Sequence, residues 1–186
     1  SAFGEQSMKT LFGSLLVTLL LTGCTSMKSQ DFKESEPKLS LFDYFKGKTS
    51  AWGIFEDRFG NVRRQFQVDI EGRINGNEMT LDERFQYNDG EKDQRIWRIR
   101  KTGDQTFVGE ADDVIGIAKG EVQGNALNWT YDLNLKVGDS SYKVHFDDWM
   151  FLQSDGVMIN RARLSKWGFD IGEVTLFFMK PAGAAG

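Results

Sequence analysis

Between residues 39 and 180 the chain keeps returning to one pattern, in which apolar and polar side chains alternate for about ten residues and then break at a short polar turn. In the run LNWTYDLNLKV, Leu127, Trp129, Tyr131, Leu133, Leu135 and Val137 fall on one face, and Asn128, Thr130, Asp132, Asn134 and Lys136 on the other. Val62, Phe66, Val68 and Ile70 form a second such row, and Met79, Leu81, Phe85 and Tyr87 a third. The breaks RFGN, INGN, YNDGE, KTGD, QGN, VGDS, QSDG and DIGE carry the residues that tight hairpins need. No segment holds a convincing helical period, and the breaks follow too closely for the crossover helices of a parallel sheet. The pattern predicts an all-β domain, a single antiparallel up-and-down β-barrel of about eight to ten strands, because so many one-sided strands remove their edges by closing on themselves. Alternation alone leaves open which face points inward, and a membrane-spanning barrel alternates too. The charge crowding the polar faces argues against that second form.

The N-terminus follows a different rule. Residues 1–7 carry no pattern and read as an extension ahead of a natural start at Met8. Met8 and Lys9 are followed by the apolar run LFGSLLVTLLL, too short for a comfortable membrane span, and then by Leu21-Thr-Gly-Cys24. A charged start, a short apolar core and small residues before a cysteine resemble a bacterial lipoprotein signal. That resemblance implies removal of residues 8–23 and acylation of the Cys24 thiol, with several acyl chains giving durable anchoring at about 0.8 kcal/mol per buried methylene. Thr25 stands where an aspartate commonly retains such proteins at the inner membrane, which favours the outer membrane with the domain on its periplasmic face. Residues 24–38 are polar and read as a lipidated cysteine and tether, and residues 181–186 as a flexible tail.

Composition narrows the partners. The 186 residues are 40% hydrophobic and 13% aromatic, enough for one core, and a net charge of -4 without a basic block makes nucleic acid an unlikely partner. Cys24 is the only cysteine, so no internal disulfide can form.

Two further resemblances concern the domain. The stretch LFDYFKGKTSAWGIF loosely resembles the first strand of lipocalins, in which a tryptophan closes the base of the barrel, although Gly47 and Trp52 stand farther apart than in that pattern. The segments AWGIFEDRFGNVRRQF, WRIRKTG, GEADDVIGIAKGEVQGNALNW, VHFDDWMFL and INRA are similar to a family of Gram-negative lipoproteins, domain of unknown function 3833. The resemblance implies a calycin-like, lipocalin-like barrel in the envelope and no established activity.

Candidate chemistry sits where charge interrupts an apolar row. In SSYKVHFDDWMFL, Asp148 shares a face with Tyr142, Val144, Phe146, Met150 and Leu152, and Glu83 breaks the row of its own run in the same way. An ionised carboxylate on an inward row is costly unless paired. Arg64, Arg95 and Arg161 are the available partners by register, the last through its alignment with Val157 and Ile159. These residues, with Trp97, Trp129 and Tyr131, form either a structural ion network or a polar pocket in which one arginine receives a carboxylate or phosphate above an aromatic cavity.

His145 and Asp147 lie two apart, too far for an assured hydrogen bond and with no nucleophile beside them, so no catalytic constellation is assigned and the histidine is expected to face solvent or pair across strands. Two ligands do not make a zinc site, and no cofactor is expected. Asp112 and Asp113, among the glycines 116, 120 and 124, read as a turn with bulges, calcium being the minor alternative.

Taken together these features predict an outer-membrane lipoprotein whose barrel holds a fatty acid or other lipid as carrier or sensor. A filled barrel acting as an envelope assembly or interaction module is the alternative, and an enzyme acting on lipid the third reading.

Overall fold

The computed structural model describes residues 26–182, so the lipoprotein signal, Cys24 and the end of the tail lie outside the described residues. Ten strands follow in order: β1 Gly47–Asp57, β2 Val62–Asn75, β3 Glu78–Tyr87, β4 Lys92–Lys101, β5 Thr106–Glu110, β6 Val114–Gln123, β7 Ala126–Val137, β8 Ser140–Leu152, β9 Met158–Lys166 and β10 Phe169–Met179. Every strand pairs antiparallel with its neighbours in sequence, and β1 pairs with both β2 and β10, closing the barrel. The fold is therefore the all-β, up-and-down barrel that the alternation predicts, at the upper end of the expected strand count, and it is consistent with the calycin-like barrel that the resemblance implies. No described helix is long and apolar enough to cross a membrane.

The register decides which face is inside. On β2 Val68 and Ile70 are buried, on β3 Met79 and Leu81, on β4 Trp97 and Ile99, and on β7 Leu127, Trp129, Tyr131 and Leu133. Their polar neighbours in sequence point outward, as period two requires. Trp129 is one of two tryptophans in this interior, and two glycines make room for it. A Cβ on Gly109 of β5 would stand 2.7 Å from its Cζ2, and one on Gly120 of β6 would overlap the same ring.

One end of the barrel is plugged by a short helix, α1 (Leu41–Phe45), which the alternation does not predict. Leu41, Phe42 and Phe45 are buried, with Phe42 against Phe107 of β5 and Phe45 edge-on to Phe178 of β10. The Tyr44 hydroxyl donates to the Gly156 carbonyl in the β8–β9 turn, and Leu39 N–H donates to the Gly124 carbonyl in the β6–β7 turn, so the plug and the residues leading into it are tied to two neighbouring turns at this end. These contacts do the work expected of Trp52, which instead faces outward and is 44% exposed. Trp52 is one residue out of phase with Ala51 and Gly53, both inward, so the lipocalin-like role does not transfer to it.

The segment ahead of α1, expected as a free tether, is docked from Ser29 on. A 3-10 turn, Ser29–Phe32, sets Phe32 against Trp149 and Phe151 on the outer face of β8, with ring centroids 5.7 and 5.2 Å away. Trp149 is buried although it points away from the interior, because this segment covers it. Gly124, at φ +56°, allows the approach: a Cβ there would overlap the Phe32 carbonyl.

Candidate functional site

The barrel encloses a cavity of about 860 Å³. Its floor is α1, through Leu41 and Phe45, and its lining runs up to Asp89, Glu91 and Gly138 in the turns at the other end. That end is the mouth. Hairpin turns there leave Phe59, Trp167 and Phe169 exposed, with the Lys166 ammonium 4.4 Å from the Trp167 ring centre.

Seven of the eight residues singled out for the interior line this cavity: Arg64, Glu83, Arg95, Trp97, Trp129, Tyr131 and Asp148. They form two levels. At the mouth Arg64 bonds Asp89 and Glu91 at 3.0 and 2.8 Å and lies flat over Tyr87, 3.5 Å from its ring centre. Deeper in, Glu83 of β3 stands opposite Arg95 of β4 in register. Trp97 packs edge-on to Trp129 and Tyr131, and Tyr131 stacks on Phe146 at 4.9 Å.

The eighth, Arg161, is outside. Its side chain is 62% exposed and grips Glu173 of β10 through three hydrogen bonds of 2.8 to 3.0 Å. The row of β9 that faces inward is Met158, Asn160, Ala162 and Leu164, while Ile159 is 38% exposed. Both rows of this strand mix apolar and polar residues, and the larger Ile159 marks the wrong one. The residue brought to the site in place of Arg161 is Asn160, fully buried, which donates from Nδ2 to Asp148 and, at 2.9 Å, to the Trp149 carbonyl. Its one sequence signal is that it shares a row with Met158, Ala162 and Leu164.

The electrostatics of the deep level are unusual. Arg95 gives its guanidinium to Asp113 of the β5–β6 turn through three hydrogen bonds of 2.7 to 3.1 Å. Burial works against the Arg95 charge, but these bonds, with Tyr131 and Glu83 nearby, more than offset it and hold the pKa above the ordinary arginine value. Asp113, in the turn, is thereby the ion-pair partner of Arg95, while Asp112 is fully exposed, near Arg98. Glu83 and Asp148 are left with too little positive charge. Burial pushes the Glu83 carboxyl up to about 7 against the pull of Arg95, and Asp113 pushes the same way. Burial also pushes Asp148 up to about 7, the Asn160 hydrogen bond pulls it down, and Glu83 adds to the rise. Tyr131 is held well above the usual phenol range by burial and then by Asp148, so it stays protonated.

The remaining candidates lie on the outer wall. His145 Nδ1 is 2.8 Å from Asp132 Oδ1 on the neighbouring strand, and Asp147 accepts from Asn128 instead. The histidine is paired across strands and half-exposed, away from the cavity. Among the described residues no group of three or more His, Cys, Asp or Glu side chains is arranged to hold a metal ion.

Comparison with protein families gives one match. The model described as Protein of unknown function (DUF3833) covers residues 18–180, which is most of the chain. The chain belongs to this family. The DUF3833 match spans all ten strands, α1 and the docked N-terminal segment, so the family unit is the barrel together with its plug. No curated protein matches the chain.

Proposed function

We propose that the protein is a lipid-anchored envelope protein, at the periplasmic face of the outer membrane, whose barrel carries or senses an amphipathic molecule. The observation that carries this reading is the cavity. At about 860 Å³ it lies within the roughly 300 to 1,000 Å³ of small-molecule sites, and its wall is mostly aromatic and aliphatic with a few converging polar groups. A filled barrel serving as an assembly module would leave no such space, and protein interiors ordinarily leave none. A lipid-processing enzyme has less support, because His145 and Asp147 stand outside, with separate partners. The anchor rests on Leu21-Thr-Gly-Cys24 alone.

Native mass spectrometry of the purified chain, followed by solvent extraction, tests the carrier. A co-purifying small amphiphile supports it, and a barrel that is empty and binds no single-chain amphiphile favours the interaction module. Metabolic labelling with a radioactive fatty acid tests the anchor: label on the wild type and none on Cys24→Ala is the expected result.

A further inference from the structure

Within the carrier reading, the chemistry of the deep level selects the ligand. The two strongest donors there are turned to protein acceptors: the Arg95 guanidinium gives Nε and Nη2 to Asp113, and Asn160 gives its Nδ2 to Asp148 and the Trp149 carbonyl. The Trp149 carbonyl fixes the orientation of the Asn160 amide, since it accepts only from a nitrogen. Asn160 Oδ1 is therefore left buried on the cavity wall with no partner. Asp148, 5% exposed, takes a hydrogen bond only from Asn160 among the described side chains, and Glu83 faces the same space. Among the described residues the unpartnered buried atom of the deep level is thus an acceptor, set beside two carboxyls, whereas the unpartnered donor on the cavity wall, Arg64 Nε, belongs to the mouth.

Charge counting points the same way. Facing the deep level are Glu83 from β3, Arg95 from β4, the neutral Tyr131 from β7 and Asp148 from β8, with Asp113 of the β5–β6 turn outside the lining and bonded to Arg95. The lining residues of β1, β9 and β10 carry no charge. Arg95 and Asp113 cancel, which leaves two acids over. At the mouth Arg63 and Arg64 are bound to Asp57, Asp89 and Glu91, with Lys136 the remaining cation. An incoming carboxylate would have to keep both carboxyls protonated, and would find Arg95 already held by Asp113. An ammonium would find two carboxylates, an amide oxygen and the electron-rich rings of Trp97, Trp129 and Tyr131, which favour cations.

We propose that the ligand is an amphipathic cation, a single-chain ammonium whose head is held by Glu83, Asp148 and Asn160 and whose tail fills the apolar part of the barrel. Binding is then coupled to proton release, because the cation replaces protons that both carboxyls otherwise retain near neutral pH. With apparent values of about 7, displacing one proton makes binding about 10-fold tighter at pH 8 than at pH 6.

Three C12 probes separate head from tail: dodecylamine, dodecanol and laurate, titrated into the full chain while tryptophan emission, to which Trp97 and Trp129 of the cavity wall contribute, is followed at pH 6, 7 and 8. The expected order at pH 7 is dodecylammonium tightest and laurate weakest. The amine should tighten about 10-fold from pH 6 to pH 8, and Glu83→Gln with Asp148→Asn should weaken it at least 10-fold while dodecanol is unchanged. Laurate binding as tightly as the amine, or amine binding indifferent to pH and to the double variant, overturns the inference and leaves the carrier standing. Failure of all three probes overturns both.

Discussion

Asp148→Asn is the sharpest test of the interior. In the unfolded chain this carboxyl releases its proton near 3.8, whereas in the empty barrel burial holds it to about 7. Between those values the folded state binds more protons at this group than the unfolded state, so the contribution of Asp148 to stability is greatest below pH 4, falls as pH rises, and levels off above 7. A rise from 3.8 to about 7 corresponds to about 4 kcal/mol of preference for the neutral form, which is the ceiling on what ionised Asp148 costs at pH 8. Relaxation around a buried charge lowers the figure, and about 2 kcal/mol is expected. Asparagine keeps the shape and can still accept from Asn160 Nδ2. The variant should therefore melt about 4 to 8 °C higher than wild type at pH 8 and by less than half of that margin at pH 5. Thermal unfolding by circular dichroism at the two pH values measures this. A variant destabilised equally at both would mean that Asp148 is ionised and well compensated in the empty barrel, and the reasoning would fail.

Three other substitutions probe separate parts. Gly109→Ala sets a methyl 2.7 Å from Trp129 Cζ2 and should cost about 1 to 3 kcal/mol in urea unfolding while shifting tryptophan emission; an unchanged midpoint would show that the ring moves freely. Phe32→Ala should cost about 1 to 2 kcal/mol and speed cleavage of residues 26–38 by protease, because Trp149 and Phe151 lose their cover. Arg161→Ala removes an exposed pair with Glu173 and should change stability by no more than about 1 kcal/mol and dodecanol binding not at all; weaker binding would restore Arg161 to the site.

The barrel was legible because period two is a geometric necessity of strands buried on one face, and the rows of β2, β3 and β7 are nearly pure. The same rule exposed Glu83 and Asp148, since a charge in an apolar row stands out. It failed where a row is mixed. In β9 neither row is clean, so Arg161 and Asn160 exchange places. In β6 a bulge between Ile115 and Lys119 breaks the phase and leaves Ile115 and Ile117 outside. The plug was hidden because five residues are too few to display a helical period. Phe32 looked isolated because its partners Trp149 and Phe151 are more than a hundred residues away in sequence and face outward. Who holds Arg95 depends on the turn carrying Asp113, which alternation does not address.

The clasp of Phe32 over β8 also sets an orientation. Five peptide units separate Cys24 from Ser29, a reach of about 17 Å at full extension. If acyl chains hold Cys24, the plugged base is leashed close to the bilayer that carries them, and the aromatic-rimmed mouth opens away from it. Cargo would then be loaded and unloaded on the far side, toward the cell wall or the opposing membrane, and not drawn from the leaflet beneath.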